Sequence, residues 1–186
     1  MAQPEETYVI NKPQTDDPML ALDDIIRQLN IMLLRIAEKL ADKAEQPGGY
    51  TTVRTLTLSA GTTSSTLPDL QTESDGNVYH IDEAAAAPGI SLSLNFKNIT
   101  QINYVLVKGY YSGLTTHAVR IQLYNYKTGA WDTLDTMMLA LDHVQYVAEV
   151  SDDTAYISSG NAIVRLYHTE MGNASHDLYI DYVAIR

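Results

Sequence analysis

Ile90-Ser91-Leu92-Ser93-Leu94-Asn95-Phe96 alternates an apolar side chain with a small polar one at every step. In an extended chain successive side chains point to opposite faces, so this run reads as a strand with one oily and one wet face. The run HAVRIQLYNY, residues 117–126, repeats the pattern, setting Val119, Ile121 and Leu123 against Arg120, Gln122 and Tyr124. Working outward from these two, further strands are expected near residues 52–58, 77–82, 102–111, 131–139, 143–150, 161–169 and 177–185. Turn-forming residues separate them: Asp75-Gly76, Pro88-Gly89, Lys127-Thr128-Gly129, Ser151-Asp152-Asp153, Ser159-Gly160-Asn161 and Met171-Gly172-Asn173. Eight or nine short strands of this kind make a mainly β domain over residues 50–186, an antiparallel sandwich or jelly roll. No period of about 20–50 residues repeats, which disfavours a solenoid or propeller.

Upstream the period changes. Met19, Leu22, Ile26, Leu29, Leu33, Ile36 and Leu40 are spaced 3-4-3-4-3-4, a heptad seam on one predicted helix over residues 18–46. Asp17 suits its N-cap, Pro18 its first position, and Pro47-Gly48-Gly49 stops it. Ile25 and Met32 widen the seam, and mixed Ile and Leu occupancy favours three strands over two. The expectation is a long N-terminal α-helix forming a trimeric coiled coil; the alternative is that this face packs on the chain's own β-domain. Residues 1–17 are polar and proline-bearing, an extended arm without a core of its own.

Composition narrows the function classes. With 12 basic and 23 acidic residues the formal charge is −11, and no basic cluster is present to neutralise phosphates. Nucleic acid and an anionic membrane surface are therefore not the expected partners. Cysteine is absent, which removes disulfides, thiolate catalysis and Cys-type zinc sites. The first residues lack the basic start and apolar core of a signal peptide, and the longest apolar stretch is broken by Arg and Asn. Synthesis in the cytoplasm as a soluble protein is expected. Thirteen tyrosines against one Phe and one Trp suit half-buried pleated surfaces.

Little in the chain points to catalysis. Phosphate-cradling glycine motifs and the GxSxG elbow are missing, so no cofactor is implied and no enzyme is expected. Most acidic residues of the β-region fall in turns. Asp181, inside LYIDYVAI, is the exception, and Arg165 in AIVRLYH is its candidate partner in a structural ion pair if their strands adjoin. Edge exposure of Asp181 is the alternative. None of the five histidines shows tight metal-ligand spacing; His168 and His176 flank TEMGNAS and are placed to approach across a hairpin, the alternative being two rim histidines near a loop. Trp131 follows the turn in YNYKTGAWDTL, with Tyr124 and Tyr126 just before it. Aromatics at a sandwich edge stack on the apolar faces of sugar rings, so these three are candidate glycan contacts. Simple packing of Trp131 at its strand's start is the competing reading.

The segments VRIQLYNYKTGAWDTLDT (119–136) and AIVRLYHTEMGNASHDLYIDYVAIR (162–186) resemble the galactose-binding-like jelly-roll modules of tailed-bacteriophage virion proteins. That resemblance, with the arm and the heptad helix, implies a non-enzymatic homotrimeric virion protein. It would decorate or cement the capsid, or form a short head fibre, attached to a major capsid or other virion protein. A carbohydrate-binding adhesin recognising host-surface glycans is the alternative, and an enzyme the third.

Overall fold

The computed structural model describes residues 50–186 together with Ile26 and Leu29. Residues Gly49–Arg186 form one compact unit. Of the heptad positions, Ile26 and Leu29 are helical, Ile26 being 47% exposed. The arm at 1–17, the rest of the helix at 18–46 and the seam residues Met19, Leu22, Leu33, Ile36 and Leu40 lie outside the described residues. Among the described residues no helix is long and apolar enough to cross a membrane.

Ten strands follow Tyr50: β1 (Thr51–Thr52), β2 (Thr55–Ala60), β3 (Tyr79–Asp82), β4 (Ile90–Lys97), β5 (Tyr104–Ser112), β6 (Val119–Asn125), β7 (Ala130–Met137), β8 (Val144–Glu149), β9 (Asn161–His168) and β10 (Asp177–Ile185). Two antiparallel sheets result. One runs β1-β10-β5-β8, with β3 also paired to β10; the other runs β2-β4-β9-β6-β7. Each expected run is a strand, with one refinement. The run at 52–58 divides at Val53-Arg54, so that β1 pairs with β10 in the first sheet and β2 with β4 in the second. Val53, at the crossing point, is wholly buried.

The alternation dictates the core. Leu92, Leu94, Phe96, Ile121, Leu123, Val164 and Leu166 face inward from the second sheet. They meet Ile81, Val105, Val107, Tyr111, Leu178, Ile180, Val183 and Ile185 from the first. Each fully buried Leu, Ile or Phe removes enough apolar surface from water for about 1.5–3 kcal/mol. This layer of side chains is what holds the two sheets face to face.

The phase of β10 changes midway. Leu178 and Ile180 point into the core, and so do Val183 and Ile185, an odd-numbered step later. The register shifts between Ile180 and Tyr182, opposite Gly109 and Lys108, leaving Asp181 as the extra residue of a bulge. Asp181 is consequently 5% exposed but outside the core, where it accepts the Ser74 backbone N–H at 3.1 Å and pairs with Lys108 Nζ at 3.2 Å. The expected ion pair with Arg165 does not form. Arg165 stands on β9 in the second sheet and Asp181 on β10 in the first, and these strands are not neighbours.

Candidate functional site

The outer face of the second sheet is built from the polar halves of the alternating strands. Ser93 on β4, Arg165 on β9, Gln122 on β6 and Thr133 on β7 form one cross-strand row. Gln122 is only 5% exposed. Its Oε1 accepts both Nε (2.9 Å) and Nη2 (2.7 Å) of Arg165, while its Nε2 donates to Thr133 Oγ1 at 3.1 Å. The guanidinium lies between two rings, 4.1 Å from the Trp131 centroid and 4.0 Å from that of Tyr167. Burial lowers the Arg165 pKa, an effect opposed by Tyr167. A guanidinium still keeps its charge at any physiological pH.

Beside this row Tyr124 pairs across strands with Trp131. Their rings meet edge to face, with centroids 5.1 Å apart, and Tyr124 and Tyr126 meet likewise at 5.0 Å. The turn between β6 and β7 fixes their spacing. Asn125 Oδ1 accepts the backbone N–H groups of Lys127 and Thr128, and Gly129 turns at φ +67°, a left-handed conformation that favours glycine. Tyr126 is tied through its backbone N–H to Ala155 O at 2.7 Å, and burial followed by its neighbour Tyr124 raises its hydroxyl pKa. The three candidate aromatics are thus one contiguous, half-buried patch.

Tyr126 also forms one wall of an open depression of about 500 Å³ on the same side of the sheet. Its other lining residues are Thr55, Asn95, Lys97, Ser158, Ser159, Asn161 and Ile163. Thr55, Asn95, Lys97, Asn161 and Ile163 are outward positions of β2, β4 and β9, brought side by side by the registers Thr55↔Asn95, Asn95↔Ile163 and Lys97↔Asn161, while Ser158 and Ser159 come from the turn that leads into β9. Hydroxyls, amides, one ammonium, one aromatic and one aliphatic side chain give convergent hydrogen-bonding groups beside apolar surface. Among the described residues no carboxylate lines it, and the side chains present offer binding contacts.

The outer face of the first sheet carries aromatics of a different kind. His80, Tyr179 and Tyr110 stack nearly parallel, at centroid distances of 4.6 and 4.5 Å. These rings meet face to face, whereas those of the Tyr124 patch meet edge to face. Trp131 has one face under Arg165.

The sequence pattern located Tyr124, Tyr126 and Trp131 but missed the depression beside them. It is assembled from four separate segments, and only its outward-facing Ile163, an aliphatic residue on the polar side of β9, stood out of phase.

No family model matches the chain, and no curated protein matches it. Solved structures similar to it include family 29 carbohydrate-binding modules. One point mutant matches with 15% identity and a TM-score of 0.45, covering 72% of this chain and 92% of that one. A further family 29 module gives 14% identity and a TM-score of 0.44, covering 71% of this chain and 89% of its own. A third, solved with cellulohexaose, gives 15% and 0.43, covering 70% and 90%. Identity and TM-score are low throughout, and the candidate site rests on the residues described above. These neighbours lend no support to the virion setting implied by residues 119–136 and 162–186.

Proposed function

We propose that the β-sandwich is a non-catalytic carbohydrate-binding head, and that a neutral glycan lies along the outer face of its second sheet. The observation that carries this reading is the continuity of the Tyr124–Tyr126–Trp131 patch with the carboxylate-free depression beside it. A sugar ring has an apolar face for the aromatic surface and hydroxyls for the amides and hydroxyls of Thr55, Asn95 and Ser159. A protein of formal charge −11 has no electrostatic attraction for a polyanion, which favours uncharged sugars. The host-surface setting, the virion location and self-association through the heptad helix belong to the same proposal and are supported by sequence pattern alone. Clustering would let several weak heads engage one surface together.

A glycan array followed by calorimetric titration of the best neutral oligosaccharide tests the site. Tyr126→Ala and Trp131→Ala are expected each to weaken binding by about ten-fold, equivalent to roughly 1.4 kcal/mol, with Tyr110→Ala as a neutral control on the opposite face. If no glycan is retained, or if Tyr110→Ala alone abolishes binding, the outer face of the second sheet is not the site.

A further inference from the structure

At one end of the sandwich, away from that face, five side chains from separate segments converge. Glu83 follows β3, Tyr111 is in β5, His117 precedes β6, His168 ends β9 and His176 precedes β10. The Glu83 side chain is 0% exposed, His168 1%, His176 8% and His117 17%. The Glu83 carboxylate is held from three sides: Tyr111 Oη donates to Oε1 at 2.9 Å, the Asn173 backbone N–H donates to Oε2 at 2.9 Å, and His176 Nδ1 lies 3.2 Å from Oε2. The two covering loops leave no room to move. A Cβ on Gly89 would come within 2.6 Å of His168 Nδ1, and one on Gly172 within 2.4 Å of Ala84 O.

A buried carboxylate beside histidines has a plain explanation, an ion pair with one protonated ring. That explanation accounts for too little. His168 Nδ1 is 2.7 Å from Glu83 Oε1 yet makes no aligned hydrogen bond, and His168 Nε2 and His117 Nδ1 are buried with no partner at all. A buried ring nitrogen without a partner carries its desolvation penalty with nothing to offset it. One donor atom from each of Glu83, His117 and His168 lies within 4.8 Å of the others.

We propose that these three residues bind one zinc ion. Two imidazole nitrogens and one carboxylate oxygen are a borderline donor set that suits zinc. Calcium and magnesium instead seek a shell of oxygens. Tyr111 and His176 are positioning residues, since they orient the carboxylate and not the ion. The fourth coordination position is left to water. With its ligands drawn from the segment after β3, the loop before β6 and the end of β9, the ion ties the 83–89 and 113–118 loops to the end of β9.

Calorimetric titration of the full chain with zinc chloride, after dialysis against a chelator, is expected to saturate at one ion per chain. His117→Ala, the most exposed of the three ligands, is expected to weaken binding at least about ten-fold while His80→Ala leaves it unchanged. Zinc-edge X-ray absorption on the unaltered chain is expected to show two imidazoles, independently of whether any variant folds. Absence of saturable binding overturns the proposal. So does a spectrum with a single imidazole together with loss in His80→Ala, which would move the ion to the His80, Asp82 and Asp177 group.

Discussion

Arg165 and Asp181 carry the clearest lesson at the scale of single residues. Each has satisfied its charge locally: Arg165 through the Gln122 amide and two ring faces, Asp181 through Lys108 and the Ser74 N–H. Burial lowers the Lys108 pKa, but the hydrogen bonds and charges of Glu73 and Asp181 together outweigh it and raise the net value. A double-mutant cycle in urea denaturation reads this arrangement directly. Arg165→Ala and Asp181→Ala are each expected to cost about 1–3 kcal/mol, and their effects to add within about 0.5 kcal/mol. Lys108→Ala with Asp181→Ala should instead show measurable coupling. A coupling above about 1 kcal/mol between Arg165 and Asp181 would restore the ion pair that the sheet order rejects. The sequence marked Asp181 as needing a partner, because a strand Asp flanked by apolar neighbours has to be compensated, and offered Arg165 for that place. It gave no access to which strands adjoin, and so it paired residues on opposite sheets. The reach of Arg165 to Gln122 was legible only as two polar residues on outward phases of their strands.

Among the elements, β10 decides how the first sheet is read. Its run LYIDYVAI shows no clean alternation, and the bulge at Asp181 is the reason: the inward set is even-numbered before it and odd-numbered after it. Strand existence was legible throughout, since Val, Ile, Leu and Tyr runs between turn residues suffice for that. Bulges and sheet crossings were not, because a one-residue shift leaves composition unchanged while moving every later side chain to the other face. Gly109 is the position where the bulge constrains its neighbour most. A Cβ there would sit 2.3 Å from Tyr179 O and 3.0 Å from Ile180 Cα, both backbone atoms that cannot yield without breaking the ladder. Gly109→Ala is therefore expected to destabilise the sandwich by about 1–3 kcal/mol or more, lowering the urea midpoint at constant slope. A midpoint unchanged by this substitution would show that β5 and β10 separate more easily than their register implies.

For the whole molecule, the two candidate sites differ in how much of them a linear chain displays. The aromatic patch lies within eight consecutive positions, Tyr124 to Trp131, and local spacing sufficed to find it. The histidine–glutamate cluster joins residues as far apart as Glu83 and His176, and only the closing of both sheets brings them together. The heptad seam stands apart from both. Seven apolar residues at 3-4 spacing need cover, and the proposed cover is two further copies of the chain. Light scattering on the full chain is then expected to give three times its 20.6 kDa, and a chain starting at Tyr50 the mass of one head. On a glycan-coated surface the same truncation should leave the affinity of a single head unchanged while shortening retention, because linked heads rebind before all have let go. A full-length monomer would oppose the trimer and leave the heptad face to pack within its own chain. The head would then have to hold its ligand with one site alone, and truncation would no longer alter retention.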